Sequence, residues 1–338
     1  MPSSNEIRVN ETRVIRQAVD EAGLVATLFR PIALRPRPTV IVLSGSLGGV
    51  LEGSAAVLAS QGFAALALAY FGVDPLPAEL VEVPLEYFAE AIAWLKTQPA
   101  VDPDRIAVMG VSKGGELAVL LGATYPEDIK AVVGYSASSV VWRGASYRPR
   151  SFIFGSPKSS WTLGGKPVPF VNVRPRVFEV MGAFMGQLPL RAMHERSLDD
   201  EAAVSAASIA VERINGPVLL ISHTDDRVWP ATRLSEMVIK RLEAHNHPFP
   251  YEHLSYEGAG HPIGLPYSAP LVTKLGPWAL GGSLEGNGHA SADSWTKALE
   301  FLEKHLEQDC RSPPQTSSNE RPEGSASARL TRASSRPT

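Results

Sequence analysis

What most constrains this chain is the pentapeptide Gly110-Val111-Ser112-Lys113-Gly114 together with its flanks, the apolar run RIAVM ahead of it and the helical stretch GGELAVLL behind. A G-x-S-x-G turn between a strand and a helix forces its serine into a strained backbone conformation, and small residues two positions to either side make room for that turn. Ser112 is then lifted above the end of its strand, and the N-terminus of the next helix places partial positive charge where an oxyanion would form. A glycine-bracketed serine in an ordinary βα turn is the plainer alternative. Strand, turn and helix occurring together weigh against it.

The same alternation runs along the chain. Strand-sized runs at Thr39–Leu43, Phe63–Tyr70, Arg105–Met109, Ala131–Tyr135, Pro217–Ser222 and Tyr251–Tyr256 are separated or followed by helical stretches at Glu52–Gln61, Pro84–Thr97, Gly114–Tyr125, Ala231–Ala244 and Ser291–Leu306. Repeated βα units predict an α/β fold, a doubly wound and mostly parallel sheet. Two stretches break the rhythm. Residues from about 138 to 200 are rich in Gly and Pro in their first half and more helical in their second, and they read as a cap inserted after the strand that follows the nucleophile helix. Residues 310–338 are rich in Ser and Pro, with Leu330 the sole large aliphatic side chain, too little apolar surface to offset the entropy of ordering. A disordered tail is expected there and a flexible N-terminus over residues 1–12, leaving residues 13–309 as the folded domain.

Composition narrows the function classes. The 32 Lys and Arg against 35 Asp and Glu give a net charge of -3, which argues against a nucleic-acid binder. Cys310 is the single cysteine, so neither an internal disulfide nor a Cys-rich metal site is expected. The N-terminus lacks the apolar core of a signal peptide, and the apolar run Gly62–Tyr70 is far shorter than the ~20 residues that cross a bilayer. The final Ser335-Arg336-Pro337-Thr338 matches no retention or peroxisomal address, so the cytoplasm is the expected compartment.

A nucleophilic serine needs a base and the base an orienting acid, in the chain order serine, acid, histidine for this arrangement. After the strand PVLLIS comes His223-Thr224-Asp225-Asp226-Arg227-Val228-Trp229-Pro230, two carboxylates at a strand's carboxyl end. Asp225 is taken as the acid and Asp226 as the fallback, the other being free to pair with Arg227 or to cap the next helix. His261, in Glu257-Gly258-Ala259-Gly260-His261-Pro262 after the last strand, is the expected base, with His223 the competitor. The oxyanion hole is expected to combine the backbone N–H of Lys113 with that of Ser46 or Leu47 in the turn Ser44-Gly45-Ser46-Leu47-Gly48-Gly49. That turn lacks both the Walker ending and the dinucleotide spacing, so no nucleotide cofactor is expected. No paired histidine motif is present either, so neither is a metal.

These residues resemble the catalytic domain shared by acyl-CoA thioesterases and bile acid-CoA:amino acid N-acyltransferases, members of the α/β-hydrolase superfamily. The elbow Gly110-Val111-Ser112-Lys113-Gly114-Gly115-Glu116-Leu117 is similar, as are Leu66-Ala67-Leu68-Ala69-Tyr70, Leu85-Glu86-Tyr87-Phe88, Asp225-Asp226 with Trp229, and Gly260-His261 with Pro266-Tyr267. The likeness runs from about Arg13 to Leu306. It implies an α/β-hydrolase fold with Ser112 as nucleophile, Asp225 as acid and His261 as base. It also implies hydrolysis in preference to transfer, since the amino-acid-conjugating members use cysteine where this chain has serine. The N-terminal β-sandwich domain of animal members is not expected ahead of the hydrolase region, and specificity set by that domain is not carried over.

Between Arg143 and Val177 lie seven basic residues, Arg143, Arg148, Arg150, Lys158, Lys166, Arg174 and Arg176, and no carboxylate. Such a segment is suited to draw coenzyme A phosphates to the mouth of a site, with Arg143, Arg148, Arg150 and Arg174 as candidate contacts; a solvated basic face is the alternative. Phe152, Phe154, Trp161, Phe170, Phe178, Met181, Phe184 and Met185 either line an acyl channel or pack the cap onto its domain. The leading expectation is therefore a serine hydrolase acting on acyl-CoA thioesters. A carboxylesterase, dienelactone-hydrolase-like lactonase or peptidase uses the same machinery, and an inactive binding homologue would share the fold.

Overall fold

The computed structural model describes residues 4–9, 11–32, 35–145, 157–173, 176, 179, 190–261, 272–275 and 278–306. All of them belong to one unit, Met1–Gln308. The segment 310–338 expected to be disordered lies outside the described residues, as do Arg148, Arg150 and Arg174.

The strands of the main sheet are β1 (Ser4–Val9), β2 (Thr12–Val19), β3 (Val25–Pro31), β4 (Arg37–Leu43), β5 (Ala64–Ala69), β7 (Val101–Val111), β8 (Ile129–Tyr135), β11 (Val218–His223) and β12 (Tyr251–Tyr256). Between them run short strands β6 (Val83–Pro84), β9 (Trp161–Leu163) and β10 (Lys166–Pro167), which form a small sheet of their own, and β13 (Lys274–Leu275) pairs with β14 (Trp278–Ala279). The helices are α1 (Glu52–Ser60), α2 (Glu86–Lys96), α3 (Lys113–Thr124), α4 (Leu190–Ser197), α5 (Glu201–Ala207), α6 (Ala231–Ala244) and α7 (Leu284–Leu306). The main sheet is ordered β1-β2-β3-β5-β4-β7-β8-β11-β12. From β5 to β12 every pairing is parallel, and β1, β2 and β3 join antiparallel at one edge.

Both faces of the parallel region are covered, which is why its strands read as unbroken apolar runs. Ile41 and Leu43 of β4 belong to one core with Phe88, Leu117 and Val238 of α2, α3 and α6, on one face, while Val40 and Val42 belong to a second with Leu58, Phe301 and Leu302 of α1 and α7, on the other. The N-terminal region corrects one expectation. Residues 4–9, read as part of a flexible segment, form β1 in register with β2, and Arg16 of β2 makes two hydrogen bonds to Glu52 on α1, which also accepts one from Thr27. Edge pairing with β2 orders a segment whose apolar content is low. The closing helix likewise starts at Leu284, ahead of the expected Ser291.

The segment inserted after β8 is stitched to the domain at several points. Val140 bridges to Ser208, Ala145 bridges to Leu80, and β9 runs parallel to β6, while Trp142–Val171 and Arg143–Ser159 bridge parts of the segment to each other. Val140, Trp142, Val171, Val173, Met193 and Leu198 form a core of their own with Trp229 and Leu234. Trp161 by contrast is buried in the main core, packing near Tyr70 and Phe88.

Candidate active site

β7 ends at Val111 and α3 begins at Lys113, so Ser112 carries the whole reversal between them, at φ 58 and ψ -120. Few non-glycine residues occupy that region, and packing must hold one there. Three glycines make the packing possible. A Cβ on Gly110 would lie 2.0 Å from the Gly114 carbonyl oxygen, one on Gly114 would lie 2.3 Å from that of Ser44, and one on Gly115 would lie 2.5 Å from that of Tyr135. The Ser112 N–H donates to Tyr135 O at 2.8 Å and its carbonyl accepts from Glu116 N at 2.9 Å, so both sides of the turn are tied down.

From this elbow the Ser112 Oγ meets His261 Nε2 at 2.9 Å, and His261 Nδ1 meets Asp226 Oδ2 at 2.7 Å. An ionised carboxylate only accepts, so Nδ1 carries the proton donated to Asp226 and Nε2 is left to accept from the serine hydroxyl. The other Asp226 oxygen accepts from Val228 N at 2.8 Å and Trp229 N at 3.1 Å, and the side chain is completely buried. Its loop is fastened from the cap helix α4, where one Arg191 nitrogen donates to the carbonyls of both Thr224 and Asp226.

The expected pairing of Asp225 with His261 is therefore corrected: Asp226 fills that place. Asp225 faces away, binding Arg227 Nε at 2.6 Å and accepting from Gly282 N at 2.9 Å. The path of the backbone decides between the two neighbours. The Asp225 N–H is committed to Ala259 O, and its carbonyl lies against Gly281, where a Cβ would stand only 1.8 Å away. With Asp225 turned toward the Gly281-Gly282 turn, the next side chain points into the domain. The structure brings Ser112 and His261 together, and His261 N donates to Leu280 O, which fixes the loop that carries it.

Of the expected oxyanion donors, Lys113 N sits at the first helical position, where a backbone N–H has no intrahelical partner. Ser46 and Leu47 occupy the middle of a turn closed by Gly48 N donating to Gly45 O. Gly45 lies close to Ser112, since a Cβ there would be 3.2 Å from the serine Cβ.

His223, the competitor for the base, is buried in β11 with Nδ1 3.2 Å from Ser136 Oγ, and burial lowers its pKa to about 3. It stays neutral and takes no part in the Ser112 contact. No sequence signal singles out His194 on α4, whose ring stands edge-on to Trp142 and Trp229, with Trp229 in turn edge-on to His261. Burial lowers its pKa to about 4. Nor does the sequence give the Lys113 side chain a role beside that of its backbone N–H. Its ammonium is 2.7 and 2.9 Å from the two oxygens of Glu116, and Trp161 Nε1 donates to that carboxylate at 2.8 Å. The i,i+3 spacing of Lys113 and Glu116 was visible, but nothing in it announced that both would be buried.

Of the basic segment, Lys158 pairs with Glu82, Arg143 donates to Val173 O at 3.2 Å, and Lys166 is exposed. Among the described residues no cluster of side chains suits a metal ion, and no helix is long and apolar enough to cross a membrane.

Comparison with known proteins first defines the class of fold. A dienelactone hydrolase-like promiscuous phosphotriesterase from metagenomic libraries superposes with a TM-score of 0.50 at 16% identity, covering 90% of this chain and 98% of that one. A Mycobacterium tuberculosis puromycin-hydrolyzing peptidase gives 0.52 at 18%, covering 90% and 39%. With its parallel sheet and flanking helices, the chain has the α/β-hydrolase fold. Residues 83–308 match the family described as BAAT / Acyl-CoA thioester hydrolase C terminal, and the chain belongs to that family. Among its relatives, mouse acyl-coenzyme A thioesterase 5 is 32% identical over 306 residues, 89% of this chain and 68% of the relative. Mouse acyl-coenzyme A amino acid N-acyltransferase 2 is 31% identical over 298 residues, 87% and 66%. The chain thus spans about two thirds of the length of these relatives.

Proposed function

We propose that this protein is a serine hydrolase that cleaves acyl-CoA thioesters to the free acid and coenzyme A. The observation that carries the reading is the unbroken relay from Ser112 Oγ through His261 to buried Asp226, at 2.9 and 2.7 Å. In this mechanism Ser112 Oγ attacks the thioester carbonyl carbon while His261 Nε2 takes the hydroxyl proton, and Asp226 stabilises the imidazolium that forms. The backbone N–H of Lys113, with that of Ser46 or Leu47, receives the oxyanion. The carbon–sulfur bond then breaks and the histidine proton passes to the leaving thiolate, releasing coenzyme A and leaving an acyl ester on Ser112. Water attacks that ester, giving one proton to Nε2, and collapse of the second tetrahedral intermediate returns a proton to Ser112 as the acid departs.

The thioester is favoured over a simple ester by the family and by the basic segment, in which Arg143, Arg148, Arg150 and Arg174 are assigned to the coenzyme A phosphates. The test is a panel of acyl-CoAs and p-nitrophenyl esters, assayed by thiol release and by absorbance. We expect kcat/KM to be higher for a long or medium acyl-CoA than for the matching ester, and a loss of at least about 10⁴-fold in Ser112→Ala. Rapid ester cleavage with no thiol release would transfer the reading to a carboxylesterase. A folded Ser112→Ala that keeps its activity would remove the nucleophile from Ser112.

A further inference from the structure

Beside the relay lies a second charged group that the mechanism does not use. Lys113 and Glu116 form an ion pair within the first turn of α3, with Glu116 fully buried and Lys113 exposed by 5%. Burial pulls the Lys113 ammonium below its ordinary range and pushes the Glu116 carboxyl above its own, each opposed by the other's charge. A buried pair of this kind costs more in desolvation than two apolar side chains of the same size, so it is a poor device for stability alone.

Its partners show what it connects. Glu116 accepts from Trp161 Nε1 at 2.8 Å and from Trp142 N at 3.4 Å, and Lys113 Nζ reaches Trp142 O at 3.4 Å and lies 5.8 Å from the centre of the Trp161 ring. Trp142 and Trp161 both belong to the segment inserted after β8, so the network joins the inserted segment to the residue whose backbone N–H faces the oxyanion. Glu116 also donates its own N–H to Ser112 O, closing the elbow from behind.

Building on the reading of Ser112 as nucleophile, we propose that Glu116 and the Lys113 side chain are positioning residues that lock the Lys113 peptide in its oxyanion-binding orientation when the inserted segment is seated through Trp142 and Trp161. Neither side chain touches the reacting carbonyl. The directional bonds of the pair set the turn 113–116 to within the tolerance that an oxyanion donor requires, and a displacement of about 1 Å is enough to cost 10²-fold in rate.

The experiment compares Glu116→Gln with the double variant Lys113→Met plus Glu116→Leu, which removes both charges and keeps side-chain volume. Melting temperature, kcat and KM for an acyl-CoA, and the rate at which a fluorophosphonate labels Ser112 are measured for each. Glu116→Gln should lower kcat and the labelling rate together by about 10- to 100-fold, with KM within about threefold. The double variant should regain the melting temperature and still fail to regain kcat or labelling rate. Recovery of rate along with stability, or a wild-type labelling rate in folded Glu116→Gln, would overturn the positioning role while leaving the nucleophile in place. A wild-type protein that takes up no label on Ser112 would overturn both readings, and labelling without acyl-CoA cleavage would overturn the substrate assignment alone.

Discussion

The two sides of the candidate site are built by different means. The Ser112 side, the turn between β7 and α3, is held by backbone contact, with the Lys113–Glu116 pair behind it. Glycines at 110, 114 and 115 let carbonyl oxygens approach to distances that any side chain would forbid, and Ser112 is strained because nothing around it can yield. The acid–base side, in the loops after β11 and β12, is held by side-chain hydrogen bonds. Asp226 takes three donors, Arg191 fastens two carbonyls, and Asn287 Oδ1 accepts from Gly260 N at 2.9 Å. Steric constraint can be relieved only by moving backbone, whereas side-chain hydrogen bonds can be lost one at a time. One side should therefore fail by unfolding and the other by losing rate or proton balance.

The sharpest way to break the first side is Gly110→Ala. Its methyl would stand 2.0 Å from a backbone oxygen, with no flexible side chain to move aside. The expected outcome is a loss of about 3 kcal/mol or more in stability, read as a fall in the denaturant midpoint, or no folded protein at all. Wild-type stability in this variant would mean that the elbow is not held by sterics.

The contrast also explains what could be read from the sequence. Ser112 and its elbow were legible because strand, glycines and helix are contiguous. The parallel sheet was legible because strands buried on both faces leave unbroken apolar runs such as AALALA in β5. The choice between Asp225 and Asp226 was not, because it depends on where Gly281 and Gly282 pass, more than fifty residues further along the chain. A rule of chain order points to the pair and says nothing about which member faces inward. The strand β1 escaped notice for a related reason, since SNEIRV carries little apolar signal and is ordered by its pairing with β2. The inserted segment was recognised as a break in rhythm, but its tie to Glu116 through two tryptophans has no local signature.

A smaller effect sharpens the second side. His194 and His223 are neutral in the fold, with burial lowering them from the ordinary 6.5 to about 4 and about 3. Below pH 6.5 the unfolded chain takes up protons that the folded chain refuses, so stability is complete above that value and declines as pH falls toward 4. Thermal or denaturant unfolding between pH 7.5 and 4.5 should show this decline. His194→Gln should reduce its slope by up to one proton, about 1.4 kcal/mol per pH unit. An unchanged slope would mean that His194 is free to protonate in the fold.

In the fold His261 pairs with Asp226 and not with its neighbour, and kcat in the two asparagine variants shows which carboxylate the reaction uses. Asparagine keeps the shape of the carboxylate but offers His261 Nδ1 an amide that no longer fixes the productive tautomer. Asp226→Asn should lower kcat by about 10² to 10⁴-fold while the protein stays folded. Asp225→Asn weakens a half-exposed pairing with Arg227 and keeps an oxygen to accept from Gly282 N, so it should stay within about threefold of wild type. The reverse ranking, with both variants folded, would contradict the account.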